Sequence, residues 1–343
     1  CGFIRRGRAM QLKKITSFFG FIFIFFALSF SHAKNFIERE DVKTYLDELS
    51  ASYGLSKSDL EAILSDHQPN KRIIDLISRP SEKRLQWYEY RKILVDEARV
   101  KLGVKFWNEN IQALNQAEQV HSVAPEIIVA IIGVETRYGQ IMGSYPVVEA
   151  LSTLAFDYPP RAKFFRKELT EFFILTRDQN LDPASLTGSY AGAMGYGQFI
   201  PSSYRAYAVD FDGDNFKDIW NNKADAIGSV ANYFSRHGWQ GDGPVIVRGY
   251  KTSDDLDVRA NASLEPKYLA GDLRKRGITN DLADDTKVAL FSMQGESEKE
   301  YWLGLNDFYV ITRYNRSSMY ALAVFQLSQA IMKERNSLLN TVN

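Results

Sequence analysis

The sequence predicts an α+β fold that is mainly helical, with a small β-containing segment late in the chain. Apolar residues recur at helical spacing up to about residue 120 and again after about residue 160. Between about 243 and 302, short runs of β-branched and aromatic residues alternate with turn residues, which is typical of strands. With 343 residues, 45% of them hydrophobic, the chain can bury a sizeable core.

The first helices are predicted between 39 and about 120. Segments 42–49 and 60–64 each place apolar residues on one helix face, and Ser58 is a candidate N-cap for the second segment. The sequence RPSE at 79–82 predicts a break before the next helix.

A further helix is predicted to begin at Pro125, because proline suits the first helical turn. Its run 127–132 (IIVAII) is rich in β-branched residues, so a strand is the competing interpretation. The proline and the stop at Gly139 favour the helix. The remaining predicted elements are an amphipathic helix at 164–177, turns at 188–197, a helix at 224–237 ending at Gly238, strands at 245–250 and 288–291, and a helix from about 317 onward.

Composition excludes some functional classes. Lysine plus arginine and aspartate plus glutamate both number 42, so the sequence lacks the basic excess of a nucleic-acid binder. Cys1, the only cysteine, cannot form an intramolecular disulfide, and no Cys/His spacing suggests zinc. A cysteine protease is excluded, and the scattered histidines give no local support to a histidine-based triad.

The N-terminal residues predict an export signal. We expect translation to start at Met10, which is followed by Lys13 and Lys14, an uncharged apolar run at 18–30 and the small-x-small sequence at 31–33. The run is short for a membrane span, which needs ~20 residues, and no cysteine follows it for lipid attachment. The sequence therefore predicts a soluble periplasmic protein that begins near Lys34 and lacks a stable span; an uncleaved N-terminal anchor is the alternative.

Glu135 is a candidate general acid. On a helix it shares a stripe with Ile128, Ile131 and Ile132. A carboxyl group in apolar surroundings loses solvation, which disfavours its charged form and raises its pKa. The competing interpretation is a glutamate at a helix end that reaches solvent or pairs with a base.

An aspartate-rich loop at 210–218 (DFDGDNFKD) predicts a cation site. Carboxylates at alternate positions gather oxygen ligands around Ca²⁺ in EF-hand loops. Because four aspartates in nine residues repel one another without a cation, we favour a structural calcium site over a solvated turn. The predicted ligands are the carboxylates of Asp210, Asp212, Asp214 and Asp218 and the carbonyl of Phe216.

This loop departs from the EF-hand pattern twice. Asn215 replaces the glycine of the turn, although asparagine tolerates the left-handed conformation. Asn221 replaces the bidentate glutamate at the twelfth position, and Asp225 is the candidate that closes the ligand shell instead.

Two other segments could bind a ligand. The Gly-rich segment 188–199 lets backbone approach a ligand closely, but it lacks the Gly-Lys-Ser/Thr of a phosphate loop and could be only a tight connection. The tract 308–315 (FYVITRYN), with Tyr320 beyond it, could stack on sugars or simply pack in the core.

Together, several segments resemble the lytic murein transglycosylase B family in the same order along nearly the whole mature chain. They are 134–139 (VETRYG), 191–204 (AGAMGYGQFIPSSY), 225–234 (DAIGSVANYF) and 312–315 (TRYN). The resemblance implies an enzyme with a lysozyme-like core, an EF-hand-type calcium loop, a helical domain and a small β-containing domain. The implied divisions are 1–33 for upstream residues and signal, 34–120 for the helical domain, 121–241 for the core with its calcium loop at 210–225, 242–303 for the β-containing domain and 304–343 for the C-terminal return to the cleft.

The resemblance also implies a role for individual residues. Glu135 matches the single catalytic acid/base position, and Ser189 and Gln198 match positions lining the cleft. Gln198 would fix the carboxyl group of Glu135. The residues at matching glycan-contacting positions are Tyr90, Arg161, Tyr233, Tyr314, Asn315 and Tyr320.

The implied reaction is non-hydrolytic cleavage of the MurNAc–GlcNAc β-1,4 bond of peptidoglycan strands, giving 1,6-anhydro-muramoyl ends. Other cell-wall enzymes are candidate partners. Two departures are Pro160, where the family often has a second arginine, and one extra residue between Trp220 and Asp225. The alternatives are a hydrolytic muramidase, for which Asp157 is the candidate second carboxylate, and a non-catalytic murein-binding scaffold.

Overall fold

Helices carry most of the chain in the computed structural model, which describes residues 35–79, 85–252 and 258–342. The predicted signal at 1–33 and residues 80–82 of the predicted break lie outside these ranges. The helices that precede the Gly-rich segment are α1 (Glu40–Tyr53), α2 (Lys57–Leu64), α3 (Lys71–Ser78), α4 (Trp87–Leu94), α5 (Glu97–Glu109), α6 (Ile111–His121), α7 (Pro125–Thr136), α8 (Val147–Asp157) and α9 (Ala162–Asp178).

Later helices alternate with short strands. The helices are α10 (Pro201–Tyr207), α11 (Lys223–Arg236), α12 (Ala270–Lys275), α13 (Asn306–Tyr314) and α14 (Ser318–Val342). The strands are β1 (Tyr145–Pro146), β2 (Thr187–Gly188), β3 (Ile246–Lys251), β4 (Tyr268–Leu269), β5 (Ile278–Thr279), β6 (Lys287–Gln294) and β7 (Lys299–Gly304).

The first two helices follow the predicted apolar pattern, with one correction at a cap. The apolar residues of 42–49 are buried in α1. Helix α2 begins two residues earlier than expected, so its N-cap is Ser56, whose hydroxyl accepts a hydrogen bond from Asp59 N at 3.3 Å. Ser58 lies inside the first turn, and its hydroxyl bonds that of Ser56 at 3.0 Å.

The β-branched run at 127–132 is helical, as predicted, and it is buried on every face. Each residue from Ile127 to Ile132 is at most 2% exposed. Helix α7 packs against α5, α6, α11 and α14, so no side of it faces solvent along this run. The stripe that Glu135 was predicted to share with Ile128, Ile131 and Ile132 is buried, and so is the rest of the run, so α7 is a central helix that is apolar all round along 127–132.

The late β segment forms an antiparallel sheet. The predicted strands at 245–250 and 288–291 correspond to β3 and β6, and the sheet order is β4-β6-β7-β3-β5. Strand β7 pairs with both neighbours, placing Trp302 opposite Phe291 and Arg248. The sheet has a small core of its own, comprising Leu273, Ile278, Val288, Leu290 and Leu303.

Two larger apolar clusters account for most of the remaining buried side chains. One surrounds α7 and includes α14, and the other joins α1, α2 and α3 to α8 and α9. Tyr314 packs against both clusters. In the described ranges, no single helix is long and apolar enough to cross a membrane, whereas the bent pair α6–α7 passes that test by length and composition, as buried core helices also do.

Stability should depend on pH through His67. Its side chain is 8% exposed and packs edge-on against Phe36, with ring centroids 4.2 Å apart. Burial lowers the pKa of His67 from 6.5 to about 4. The unfolded chain therefore binds the extra proton first, and stability is lost as pH falls from about 7 toward 4, by on the order of 2 kcal/mol at pH 5.

Urea denaturation at pH 8 and pH 5 measures this effect. His67→Gln should lose less stability than the parent over this interval, by roughly that amount. Equal losses in the two proteins would contradict the assignment to His67.

Candidate active site

Glu135 lies in the last turn of α7, half-buried, where the chain leaves the core. The next residues turn sharply: Arg137, Tyr138 and Gly139 have φ values of +50°, +61° and +88°. Successive left-handed residues are unusual and are tolerated only where the surrounding structure holds them. A Cβ at position 139 would lie 2.3 Å from Tyr196 Cε1, so glycine is required there.

Thr136 holds this turn in place. Its side chain is 1% exposed, and its hydroxyl lies 3.1 Å from the carbonyl oxygens of both Ile132 and Tyr196. The same oxygen accepts a hydrogen bond from Gly139 N at 3.0 Å. Thr136 thus joins the end of α7 to the Gly-rich segment.

Tyr320 provides a hydrogen bond to the carboxyl group of Glu135. The phenol, on the first turn of α14, donates to Glu135 Oε1 at 2.5 Å. The ring is only 2% exposed, and burial, followed by the negative charge of Glu135, raises the pKa of Tyr320 well above its usual value. Tyr320 therefore stays protonated and keeps its role as donor at neutral pH.

The Gly-rich segment folds tightly against the end of α7. Gly195 has φ +67°, and a Cβ there would lie 2.4 Å from Ile219 O. Gln198, at φ +50°, donates from its side-chain amide to Met142 O at 3.1 Å and Gly195 O at 3.0 Å. Gln198 thus braces the loop that follows Glu135, whereas Tyr320 donates to the carboxyl itself.

Ser189 adjoins the same loop. Its hydroxyl accepts hydrogen bonds from Ala193 N at 3.1 Å and Ala191 N at 3.3 Å, which closes a turn at the start of the Gly-rich segment. A Cβ at Gly143 would lie 2.1 Å from Gly188 O and 2.5 Å from Ser189 N, so the two backbones are in direct contact. Glu135, Ser189 and Gln198 are therefore arranged around one junction of two loops.

The predicted glycan-contacting tyrosines are largely buried. Tyr90, Tyr233 and Tyr320 are 5%, 7% and 2% exposed. Tyr233 donates to Arg313 O at 2.6 Å, and Tyr314 donates to Gly197 O at 2.5 Å. Their rings meet edge to face at 4.8 Å, so a sugar could reach an edge of Tyr233 but not stack on its packed faces.

Tyr314 also interacts electrostatically with Glu135. Burial, and then the charge of Glu135, raises the pKa of Tyr314 well above its usual value. Asn315 follows it in extended conformation and is half-buried. The phenol of Tyr90 contributes to the raised pKa of Tyr320, which places α4 beside this cluster.

In the described ranges, no contact joins Arg161 to the residues around Glu135. It is exposed in a short 3₁₀ turn, with its guanidinium 4.3 Å from the ring centroid of Phe164. Its role as a glycan contact stays a prediction.

The aspartate-rich loop brings four carboxylates together. Ligand atoms of Asp210, Asp212, Asp214 and Asp225 all lie within 4.8 Å of one another. Asp225 is fully buried at the start of α11, and its oxygens accept hydrogen bonds from Phe211 N at 2.7 Å and Asp218 N at 2.8 Å. These four residues could hold a hard cation.

The turn chemistry of this loop agrees with one expectation and departs from another. Asn215 has φ +72°, the left-handed conformation expected for it. Asp218 stays outside the four-carboxylate cluster; its Oδ1 instead accepts hydrogen bonds from Trp220 N at 2.9 Å and Asn221 N at 2.8 Å. Asp218 as a ninth-position ligand and the carbonyl of Phe216 both stay predictions.

Sequence reasoning missed the role of Thr136. The signal was present, because a threonine in the last turn of a helix can bond the carbonyl four residues earlier and still reach across to a neighbouring loop. The identity of that loop could not be read from spacing, since Tyr196 lies 60 positions away.

Comparison with known proteins decides the family. The Transglycosylase SLT domain family matches residues 38–329. The chain belongs to this family. Its curated relative, the membrane-bound lytic murein transglycosylase B of Escherichia coli (strain K12), is 40% identical over 320 residues, covering 88% of this chain and 85% of the relative.

Solved relatives have the same fold. Soluble lytic transglycosylase SltB1 from Pseudomonas aeruginosa is 50% identical with a TM-score of 0.83, covering 86% of this chain and 99% of that one. Lytic transglycosylase Slt35 of E. coli, solved in complex with calcium, is 40% identical with a TM-score of 0.80, covering 89% and 95%. The predicted family, lysozyme-like α+β fold and enzyme class, a lytic transglycosylase, are confirmed.

The link made by Thr136 can be tested by removing only its hydroxyl. Thr136→Val should lower the free energy of unfolding by about 1–3 kcal/mol, because buried polar groups of Gly139 and Tyr196 lose a partner. Thr136→Ser retains the hydroxyl and should recover most of this loss. Urea denaturation of the three proteins measures the difference, and a larger loss of stability in the serine variant than in the valine variant would show that the methyl group matters instead.

Proposed function

We propose that this chain cleaves the MurNAc–GlcNAc β-1,4 bond of peptidoglycan without water, with Glu135 as both general acid and general base. The observation that carries the proposal is the hydrogen bond from Tyr320 to Glu135 Oε1 at 2.5 Å. It orients a half-buried carboxyl group at the junction between the loop that follows α7 and the Gly-rich segment, which carries Ser189 and Gln198.

In the first step the protonated carboxyl donates to the glycosidic oxygen, and the bond between that oxygen and C1 of the muramic acid breaks. GlcNAc leaves with a hydroxyl at C4. Because Tyr320 continues to donate to Oε1, the proton that is transferred resides on Oε2. The positive charge at C1 is stabilised as an oxocarbenium-like or acetamido-assisted intermediate.

In the second step the Glu135 carboxylate takes the proton from the C6 hydroxyl of the same sugar, and O6 bonds to C1. The product is a 1,6-anhydro end, and Glu135 is protonated again. An internal hydroxyl held close to C1 replaces the water and the second carboxylate of ordinary glycosidases. Ser189 would orient the acetamido group or the C6 hydroxyl, and Tyr233, Tyr314 and Asn315 would border the glycan.

Hydrolysis by a muramidase is the less favoured alternative. It would need a second carboxylate free to activate water. Asp157, the candidate from sequence, accepts a hydrogen bond from Arg39 Nη1 at 2.8 Å, which supports a structural role for this group.

Digestion of purified murein sacculi tests the reaction, with the products weighed by mass spectrometry. We expect anhydro-muropeptides, which are lighter by one water than hydrolysis products. Glu135→Gln should reduce their release more than about 10³-fold, since it removes both proton transfers. Glu126→Gln, a half-buried glutamate on the same helix, is the matched control and should retain activity.

Other outcomes identify the alternatives. Reducing ends in place of anhydro ends would assign a muramidase. An absence of products from the parent protein would favour the scaffold.

A structural calcium ion is the second part of the proposal. Four carboxylates with ligand atoms within 4.8 Å would repel one another, and a divalent cation removes this repulsion. The complex of Slt35 with calcium supports the assignment. The proposed ligands are Asp210, Asp212, Asp214 and Asp225, with the carbonyl of Phe216 as a candidate.

Calcium should therefore stabilise the fold. Addition of 10 mM CaCl₂ after chelation should raise the free energy of unfolding by roughly 1.4–2.7 kcal/mol, given dissociation constants typical of extracellular sites. NaCl at matched ionic strength should not reproduce the effect. Asp212→Asn should weaken it and the exposed Asp281→Asn should not; the same calcium effect in both variants would contradict the site.

The family and the N-terminal sequence together support an exported protein that acts in the periplasm. The substrate lies there, and 10–33 has the pattern of a secretory signal. Partnership with other cell-wall enzymes stays a prediction.

A further inference from the structure

The ring of Tyr138 folds back beneath the end of α7. Tyr138 is the third residue after Glu135 and has a left-handed backbone, with φ +61°. A Cβ at Gly133 would lie 2.5 Å from Tyr138 Oη and 2.6 Å from its Cζ, so glycine is needed at this point of α7 to leave room for the ring. The ring of Tyr138 therefore occupies a notch in the helix that carries Glu135.

A second glycine makes room for the same ring on α5. A Cβ at Gly103 would lie 2.5 Å from Tyr138 Oη and 2.6 Å from Cδ1 of Ile331, a side chain of α14. The ring of Phe106, one turn further along α5, lies 5.6 Å from the ring of Tyr138 between centroids. Helices α5, α7 and α14 therefore meet around the phenol group of Tyr138.

This meeting point lies behind the carboxyl group of Glu135. Gly133 and Glu135 are two residues apart, so at ~100° per residue they point to nearly opposite sides of α7. The carboxyl group of Glu135, on α7, accepts a hydrogen bond from Tyr320, on α14, at 2.5 Å. The ring of Tyr138 packs where these two helices meet α5, so a change in its volume should change the spacing between the carboxyl group and its donor.

An ion pair attaches the same turn to the start of α5. Arg137 Nη2 lies 3.6 Å from Oδ1 of Asp96, the N-cap residue of α5. The two side chains are 29% and 30% exposed, so water weakens their attraction. Packing of the Tyr138 ring is therefore the stronger of the two constraints on this turn.

The hydroxyl group of Tyr138 contributes volume rather than a hydrogen bond. In the described part of the chain, Tyr138 Oη is buried and has no hydrogen-bond partner. Burial also raises the pKa of Tyr138, so the phenol carries no charge at neutral pH. Since a buried hydroxyl without a partner costs free energy on folding, the packing of the ring is what this side chain supplies.

We propose that Tyr138 is a positioning residue for the reaction. Its ring fixes the spacing between α7 and α14, and thereby the position of the Glu135 carboxyl group relative to the hydroxyl of Tyr320. Tyr138 acts through Glu135 and needs no contact with substrate. The inference rests on the proposed function, because it assigns Tyr138 an effect on the step that Glu135 carries out.

Substitutions of the ring test this role. Initial rates of anhydro-end release from soluble glycan strands give kcat and KM. Tyr138→Leu should lower kcat roughly 10- to 100-fold, as expected for a small misplacement of a reacting group, while KM stays nearly constant. Tyr138→Phe keeps the ring and should retain the parental kcat. Tyr53→Leu, at a tyrosine that is 49% exposed, is the matched control and should change neither constant.

A methyl group added to α7 tests the same contact from the other side. Alanine normally stabilises a helix relative to glycine, but the methyl group of Gly133→Ala would displace the ring, so kcat should fall. In Gly133→Ala/Tyr138→Leu the shorter side chain leaves room for that methyl group. The double variant should therefore have a higher kcat than two independent losses would give. Gly243→Ala, where a Cβ would have nothing within 4 Å, is the control.

Three results would overturn the inference: a parental kcat in Tyr138→Leu, an equal loss in Tyr138→Phe, or losses at 133 and 138 that multiply independently. Rates are expressed per folded molecule from the urea denaturation curve of each variant, and rates that equal the parental rate after this correction would overturn it too. Failure of the proposed function is distinguishable, because the parent protein would then release no anhydro ends or Glu135→Gln would keep its activity.

Discussion

The hydroxyl of Thr136 connects two segments that are 60 residues apart, and the geometry around Glu135 depends on that connection. Apolar packing fixes helix α7 along its length. This packing determines how deeply the helix lies in the core, but not the direction in which the chain continues after its last turn. Thr136 supplies the direction, because its oxygen bonds Gly139 N on one side and faces the carbonyl of Tyr196 on the other. Gln198 repeats the connection from the opposite segment through Met142 O. The two loops beside Glu135 are therefore joined to each other by hydrogen bonds between side chains and backbone.

The aspartate-rich loop at 210–218 is connected to the same framework through Phe211. Phe211, inside that loop, packs against α11 where Gly228 leaves room: a Cβ at 228 would lie 2.3 Å from Phe211 Cγ. Phe211 also stacks on His121 at the end of α6. Since α6 and α11 both pack against α7, the loop ties together two neighbours of the helix that carries Glu135. A cation there would secure the framework without touching substrate.

The sequence predicted the helices and strands of this fold better than it predicted their burial and their hydrogen-bond partners. Pro125 and Gly139 identified α7 as a helix despite its β-branched run, because they act locally. The burial of α7 on every face could not be predicted, because it depends on α5, α6, α11 and α14, which are far away in sequence. Resemblance located Glu135, Ser189 and Gln198, but hydrogen-bond partners such as Tyr320 for Glu135 are set by tertiary structure, 185 positions apart. Asp218 illustrates the same limit. Its spacing is that of a calcium ligand, whereas its carboxylate accepts a hydrogen bond from Trp220 N within a local turn.

Because α7 is completely buried along 127–132, the helix that carries Glu135 is separate from the surfaces that could recognise a ligand. A helix with no solvent-facing side along 127–132 offers no surface on which a ligand preference could be adjusted, because any change of volume there disturbs the core. Selectivity has to be adjusted in the elements around it, such as the Gly-rich segment and the α13–α14 junction. An engineer who wishes to alter what this protein degrades can therefore treat α7 as fixed and vary those surfaces, with the position of the Glu135 carboxyl group unchanged.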